Sequence, residues 1–166
     1  PLILTKKQLK KVSQNTERML RLVNQILDFR KIQFTHLKVQ ELEIALLVAE
    51  ICDNFSDIAI KQNIDFKFTN LVDNQKIWVD PDCIEKIVMN LLSNAFKFTQ
   101  YGKAIEVCLR GNEKQISIEV HDQGLGIAPE KMKNLFTRFA SFNTDKSKPS
   151  TGIGLSLIHE LAQKHR

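Results

Sequence analysis

Three polar residues, Asn90, Asn94 and Lys97, follow one another at intervals of four and three in a largely apolar stretch. This spacing places their side chains on one face of a helix. Two carboxamides and an ammonium group at the edge of a core are costly unless a polar group meets them. Amide oxygens are hard ligands for Mg²⁺ and a lysine neutralises phosphate oxygens, so a magnesium ion with a polyphosphate would satisfy all three. The alternative is an ordinary helix with polar residues at its rim.

A second cluster, Asp122-Gln123-Gly124-Leu125-Gly126, comes directly after a predicted strand. A carboxylate at a strand end can accept a hydrogen bond from an exocyclic amine such as that of adenine. The two glycines allow the backbone to turn tightly and to come close to a flat ring. Ordinary turns contain the same residue types, so this cluster alone does not distinguish a turn from a nucleotide-base site.

A third cluster, Thr151-Gly152-Ile153-Gly154, opens the predicted last helix. Glycines at this position expose backbone N–H groups, and the positive end of the helix dipole favours a phosphate there. A long connection that contains residues 143–148 separates the second cluster from the third. A long loop in a compact domain is a lid or is disordered, and here we expect a lid over a triphosphate.

The elements that position these clusters are predicted from periodicity and from capping signals. The first cluster lies on a helix that Asp80 caps and Pro81 begins, because aspartate accepts the free N–H groups and proline has none to satisfy. That helix is predicted to bury the stripe Ile84, Ile87, Val88, Leu91 and Ala95. The other predictions are a helix at 6–32, strands at 37–42, 64–68, 76–79, 104–110 and 115–120, a helical face of Leu47, Ile51, Phe55 and Ile58, a short helix after Pro129 and a final helix from about Gly152.

The first predicted helix carries an apolar seam with alternating steps of three and four, at Leu9, Val12, Thr16, Met19, Val23 and Ile26. Such a seam is typical of a coiled coil or helical bundle. A helix this apolar is predicted to pack against another helix or another chain, the alternative being an ordinary core helix. The chain is therefore divided into a helical segment, 1–35, and a domain, 36–166.

The bulk composition excludes some classes of protein. The chain has 166 residues and a formal net charge of +5, but its lysines are spread along the sequence. No recognition-helix signature or stacking-aromatic motif accompanies them, so we expect solvated lysines and no contact with nucleic acid. Cys52, Cys83 and Cys108 lack metal-ligand spacing and are predicted to be thiols in a reducing cytoplasm. No apolar run approaches the length of a membrane span.

Taken in order, these clusters resemble the ATP-binding domain of histidine kinases, in the superfamily that includes gyrase, heat-shock chaperones and MutL-type proteins. The resemblance covers nearly the whole chain. The matching segments are the N box at 90–99, the first glycine box at 122–127, the aromatic box Leu135-Phe136-Thr137-Arg138-Phe139, and the second glycine box around Gly152 and Gly154. The segment 78–82 and the helix 15–32 are similar to hybrid sensor kinases, where the helix is the second of the dimerisation hairpin.

The resemblance implies an α/β (α+β) two-layer sandwich, with helices on one face of one mixed sheet and the nucleotide between the helices and the lid. The implied cofactors are ATP and Mg²⁺. Asn90 and Asn94 would hold Mg²⁺ and phosphates, Lys97 would bind phosphate, and Phe98 would border the nucleotide. The adenine base would contact Asp122, Gly124 and Gly126. The phosphates would be bound by Thr151, Gly152 and Gly154. Phe136 and Phe139 would anchor the lid.

The implied activity is transfer of the γ-phosphoryl group of ATP to a histidine, mostly by positioning and charge neutralisation. The implied partners are a second copy, joined through the bundle helix in the parent protein, the phospho-acceptor helix, and a response regulator or receiver domain. The chain is expected to be the cytoplasmic portion of an inner-membrane-anchored bacterial sensor.

Several departures from the family pattern carry expectations of their own. None of the four histidines has the context of a phospho-acceptor, so the chain is expected to bind ATP without phosphorylating itself. The last two strands of the family fold are missing, which predicts an open sheet edge, with reduced stability or completion by a neighbouring molecule. Ser150 stands where a further glycine is common, so lid closure is expected to be less free.

Lys86 occupies the position at which ATP-hydrolysing relatives carry a glutamate that activates water. This favours a transferase over an ATPase-driven clamp or chaperone of the same superfamily. A module that only dimerises and docks partners, without nucleotide, is a further alternative, and a nucleotide-binding assay separates it from a kinase domain.

Overall fold

The computed structural model describes residues 5–34, 36–72, 75–112, 115–138 and 152–165. The chain divides into two compact units, Pro1–His36 and Leu37–Arg166, and the second unit contains all three clusters. Within the described residues, no helix is both long enough and apolar enough to cross a membrane.

The described part of the first unit is one helix, α1 (Lys6–Phe34), as the sequence predicted. It begins with a reciprocal cap, in which Thr5 N–H donates to Gln8 Oε1 at 2.8 Å and Gln8 N–H donates to Thr5 Oγ1 at 3.3 Å. Its exposed large apolar side chains are Leu9, Val12, Met19, Leu20, Val23 and Leu27. The side chain of Ile26, a predicted seam residue, lies outside the described part.

The second unit alternates short strands and helices. Its elements are β1 (Gln40–Glu43), α2 (Ile44–Asp53), α3 (Ser56–Gln62), β2 (Asp65–Asn70), β3 (Lys76–Val79), α4 (Pro81–Phe98), β4 (Ala104–Gly111), β5 (Ile116–Asp122), α5 (Pro129–Met132) and α6 (Gly154–Lys164). The bounds of α4 and β3 are those predicted, and β2, β4 and β5 agree within two residues. The first strand begins at Gln40 rather than Leu37.

The described strands form two sheets. In the larger sheet β2 is parallel to β4, and β4 is antiparallel to β5, which confirms the predicted mixed sheet. β1 and β3 form a separate antiparallel pair, whereas the resemblance implied a single sheet. β2 and β5 are the edges of the larger sheet among the described strands. Reduced stability, or completion of an edge by a neighbouring molecule, stays a prediction.

The core lies between the larger sheet and the helices α2 and α4, as expected for a two-layer sandwich. Phe96 of α4 stacks on Phe55 with ring centroids 5.2 Å apart and meets the edge of Phe66 at 5.1 Å. The buried side chains of α4 are Ile84, Val88, Leu92, Ala95 and Phe96. Ile87 and Leu91 were predicted to be buried and are only half-buried, because the stripe follows steps of four from Ile84 to Phe96.

Residues 44–62 form two helices rather than one. The chain turns at Asn54 and Phe55, where Phe55 N–H donates to the carbonyl of Cys52 at 2.9 Å. This turn resets the helical phase, so Ala59 is buried and Ile58 is exposed. The prediction that Ile58 shares one helical face with Leu47, Ile51 and Phe55 was therefore wrong.

Candidate functional site

Helix α4 carries the first cluster. Its first turn is capped by Asp80, whose Oδ1 accepts a hydrogen bond from Cys83 N–H at 3.2 Å. Asn90, Asn94 and Lys97 are all half-buried along the helix. Their spacing puts the three side chains on one face, as predicted.

Asn90 faces the first residue of α6. Its Nδ2 donates to the carbonyl of Lys86 at 2.8 Å, which leaves Oδ1 as the acceptor of the carboxamide. A Cβ added at Gly154 would lie 2.9 Å from Asn90 Oδ1, so a larger residue there would displace the carboxamide. A carboxamide oxygen and a helix N-terminus, whose first N–H groups have no partner within the helix, thus meet at one point, which suits a metal-bound phosphate.

The second cluster lies against the C-terminal end of α4. Asp122 is exposed at the end of β5, and its Oδ1 accepts a hydrogen bond from Gly124 N–H at 2.8 Å. A Cβ added at Gly124 would lie 2.5 Å from that oxygen and 3.0 Å from the carbonyl oxygen of Phe98. Gly124 therefore permits a close approach and orients the carboxylate, which keeps capacity to accept a hydrogen bond from an amine.

The last turn of α4 presents a cation and an aromatic ring together. Lys97 Nζ lies 5.1 Å from the ring centroid of Phe98, and both side chains are half-buried. Gly126 and Gly152, predicted to flank the base and the phosphates, both have φ of +68°, a left-handed conformation that favours glycine.

Part of the predicted site lies outside the described residues. The segment 139–151 contains four of the predicted features: Phe139, the lid at 143–148, Ser150 and Thr151. Just before this segment, Phe136 stacks on His159 of α6 with ring centroids 4.9 Å apart. Arg138 pairs with Glu160 of the same helix at 3.6 Å. The residues that precede the segment thus pack on the helix that follows it.

The oxygen donors available on α4 suit a metal ion that binds together with its substrate. The described residues include no group of three or more His, Cys, Asp or Glu side chains that could hold a metal ion. Mg²⁺ usually keeps several waters and takes one or two protein ligands together with substrate phosphates. Asn90 and Asn94 offer neutral, hard oxygen donors of that kind, so these residues fit Mg²⁺ bound with a nucleotide.

Asp80 makes contacts that the sequence analysis missed. It is 6% exposed, its Oδ2 accepts a hydrogen bond from Lys38 N–H at 2.7 Å, and its own N–H donates to His165 Nε2 at 3.3 Å. Burial alone would raise the pKa of this carboxyl group, but donation from the N–H groups of Lys38, Cys83 and Asp82, with His165 nearby, lowers it overall. Lys38 and His165 are 42 and 85 residues away in sequence, so no local pattern predicts these contacts.

The family of the chain follows from its sequence as well as its fold. Residues 79–166, which include α4 and all three clusters, match the model of the histidine kinase-, DNA gyrase B-, and HSP90-like ATPases. The chain therefore belongs to this family of ATPases. The solved structure of full-length ShkA in complex with AMPPNP has the same fold, with a TM-score of 0.80 at 22% identity over 98% of this chain and 35% of that one.

Relatives within the family are sensor histidine kinases. Histidine kinase P4 of Formosa agariphila is 30% identical over 96% of this chain and 12% of its own length. Sensor histidine kinase YclK of Bacillus subtilis is 31% identical over 93% of this chain and 33% of its own length. Histidine kinase ThkA in complex with the response regulator TrrA has a TM-score of 0.70 at 23% identity, over 84% of this chain and 42% of that one. The chain spans a third or less of the curated relatives P4 and YclK and includes the ATP-binding catalytic domain of sensor histidine kinases.

Proposed function

We propose that the second unit binds Mg²⁺-ATP along α4 and presents the γ-phosphoryl group to a histidine outside this chain. One observation carries the proposal: two glycines approach the same helix, Gly154 at Asn90 and Gly124 at Phe98. Asn90 and Phe98 are about 12 Å apart along the helix axis. A base site and a phosphate site at this separation are within reach of a single nucleotide.

The base end of the site is formed by Asp122 and the turn that follows it. Gly124 N–H holds Asp122 Oδ1, so the carboxylate is oriented before a ligand arrives. An oriented carboxylate accepts a hydrogen bond from the exocyclic amine of adenine. It repels the carbonyl oxygen that guanine carries at the same ring position. Phe98 supplies an apolar border beside the base.

The phosphate end of the site is formed by Asn90, Asn94, Lys97 and the N-terminus of α6. Mg²⁺ would be held by the carboxamide oxygens and would neutralise charge on the triphosphate. Lys97 adds a positive charge, and the first turn of α6 adds backbone N–H groups and the positive end of its dipole. The chain's own contribution to phosphoryl transfer is thus positioning and charge neutralisation.

Transfer rather than hydrolysis is supported by the residue four positions before Asn90. Lys86 stands there, and its carbonyl accepts the hydrogen bond from Asn90 Nδ2. A lysine at this position is not a general base for activating water, so a hydrolysing clamp is the weaker candidate.

In the parent protein we infer a homodimer joined through α1, with a phospho-acceptor helix and a response regulator or receiver domain as partners. The exposed apolar residues of α1 support the first inference. The complex of ThkA with a response regulator supports the second by analogy. Attachment to a bacterial inner membrane through another part of the parent is inferred from the sensor-kinase relatives.

The test is calorimetric titration of the chain with AMPPNP and Mg²⁺. Wild-type chain is expected to bind, and Asp122→Ala is expected to lose binding while staying folded by circular dichroism. Asp57→Ala, which removes an exposed aspartate from α3, is the matched control and should bind like the wild type. A folded wild-type chain that does not bind would refute the proposal and favour a docking module.

Omission of Mg²⁺ provides a second arm of the titration. We expect the wild-type chain to bind AMPPNP more weakly without the ion, because Asn90 and Asn94 then face phosphates without a bridging charge. Asn90→Ala should lower the affinity for AMPPNP and reduce the effect of Mg²⁺. An unchanged effect of Mg²⁺ in this variant would exclude Asn90 as a ligand.

A further inference from the structure

Helices α4 and α6 run side by side in opposite directions and touch at two defined points. At one point the start of α4 meets the end of α6, through the hydrogen bond from Asp80 N–H to His165 Nε2 at 3.3 Å. At the other point, Asn90 of α4 meets Gly154, the first residue of α6. The separation of the two points is about 15 Å along α4 and about 17 Å along α6, so the spacings match.

The contacts of His165 define one form of its imidazole ring. The N–H of Asp80 can only donate, so His165 Nε2 is the acceptor in that bond. The carbonyl of Leu161 can only accept, so Nδ1 carries the proton that it donates across 3.0 Å. In these contacts Nδ1 donates and Nε2 accepts, so both ring nitrogens are used.

His165, which is half-buried, follows the buried stripe of α6. Ile153, Leu157 and Leu161 are buried at steps of four, and His165 is the next position in that series. Apolar side chains at steps of four hold a helix against its neighbour but distinguish poorly between registers that differ by one helical turn. A directional hydrogen bond at the end of the stripe does distinguish them, because a shift by one turn breaks it.

The register of α6 decides what faces Asn90. Even a Cβ at Gly154 would lie only 2.9 Å from Asn90 Oδ1, so a slip of one turn that brought Ile158 to this point would displace the carboxamide. We propose that the His165–Asp80 contact locks the register of α6 on α4, and that His165 is thereby a positioning residue for the phosphate end of the nucleotide site. This inference rests on the proposed function.

The test compares two ligands in the full chain, AMPPNP with Mg²⁺ and adenosine. His165→Phe keeps a ring but removes both hydrogen bonds, and we expect it to weaken AMPPNP binding about tenfold, or about 1.4 kcal/mol. Adenosine, which reaches only the base end, should bind as it does to the wild type. His165→Gln restores an acceptor and a donor and should recover part of the loss, while His36→Phe, at an exposed histidine, should change nothing.

Equal weakening of both ligands in His165→Phe, or no weakening, would overturn the inference. If the wild-type chain bound neither ligand, the proposed function would fail, and the lock would be tested without nucleotide. Nuclear magnetic resonance of the wild type should then show the Nδ1–H form of His165, and His165→Ala should move the Asn90 carboxamide and Gly154 amide signals further than His165→Gln does. A different tautomer, or unmoved signals, would refute the lock even if His165→Phe did not fold.

Discussion

Gly124 and Gly154 stand at positions where any side chain would strike a polar group of the site. At Gly124 the nearest group is the Asp122 carboxylate, and at Gly154 it is the Asn90 carboxamide. Gly126 is different, because an added Cβ would meet no heavy atom within 4 Å, while its φ of +68° is one that side chains disfavour. At the scale of single residues, the two glycines of the first box therefore serve different purposes: a close approach and a turn.

Gly124→Ala is expected to displace the carboxylate of Asp122, because the new Cβ would lie 2.5 Å from Oδ1 and 3.0 Å from the carbonyl oxygen of Phe98. We expect a loss of more than about tenfold in affinity for AMPPNP and of about 1–3 kcal/mol in unfolding free energy. Gly126→Ala is the matched control and should cost about 1–2 kcal/mol of backbone strain with a smaller loss of affinity. Equal losses of affinity in the two variants, measured by calorimetry, would contradict this account.

Thr99 is 2% exposed, and its Oγ1 has no hydrogen-bond partner among the described residues. A buried hydroxyl group without a partner destabilises the folded state. Thr99→Val keeps the shape without the hydroxyl, so we expect urea denaturation to show a gain of about 1 kcal/mol in unfolding free energy. Thr99→Ser keeps the hydroxyl and should show no gain. A loss in the valine variant would mean that the hydroxyl has a partner in solution, such as an enclosed water.

At the scale of elements, hydrogen bonds with three parts of the chain hold the start of α4 in place. Asp80 receives hydrogen bonds from Lys38, just before β1, and from Cys83 in its own first turn, and it donates one to His165 at the end of α6. The helix that carries Asn90, Asn94 and Lys97 is thus placed by contacts about 15 Å from the first of these residues.

The lowered pKa of Asp80 predicts acid sensitivity of this junction. A group whose folded-state pKa is depressed contributes stability above its unfolded value, here 3.8, and loses it as the pH falls through the lower folded value. The difference in unfolding free energy between wild type and Asp80→Asn should therefore shrink between about pH 5 and about pH 2. Urea titrations across this range measure it, with exposed Asp82→Asn as the control. A difference that is constant with pH would argue against the ionised carboxylate as the cause.

On the scale of the whole molecule, the two units differ in how their apolar side chains are covered. Phe96 and its neighbours are enclosed by the second unit. In the described part of the first unit, large apolar residues such as Val12 and Val23 are about half exposed, at 55% and 48%. An uncovered seam of this kind is expected to associate with another helix.

Self-association through α1 is therefore expected and can be measured by sedimentation equilibrium. The double variant Val12→Glu and Val23→Glu should be monomeric, because it places charges in the seam. Asn15→Glu with Asn24→Glu adds the same charge at exposed polar positions and should associate like the wild type. A wild-type chain that stays monomeric at every concentration would contradict the seam interpretation.

The chain is also expected to bind nucleotide without phosphorylating itself. Its histidines are His36, His121, His159 and His165, and none lies in a phospho-acceptor context. Incubation with γ-labelled ATP should leave no stable label on the chain, whereas calorimetry should show that the same chain binds nucleotide. Stable labelling of the isolated chain would refute this expectation.

Local sequence signals predicted the order of elements apart from the break between α2 and α3, the bounds of α4, and the three clusters. These features depend on local signals: the cap at Asp80, the proline after it, the alternation in β4 and β5, and glycines at turns. Such signals act within a few residues, so they can be recognised without knowledge of the rest of the fold. Family membership followed from the same clusters and their order.

Which groups these clusters touch depends on the tertiary structure. The turn at Asn54 reset the phase of a helical face, and Phe96 became a centre of the core through contacts with Phe55 and Phe66. The hydrogen bond between Asp80 and His165 joins residues 85 positions apart. Periodicity specifies which face of a helix is buried, but not which partner covers it or in which register, because those depend on packing between distant segments.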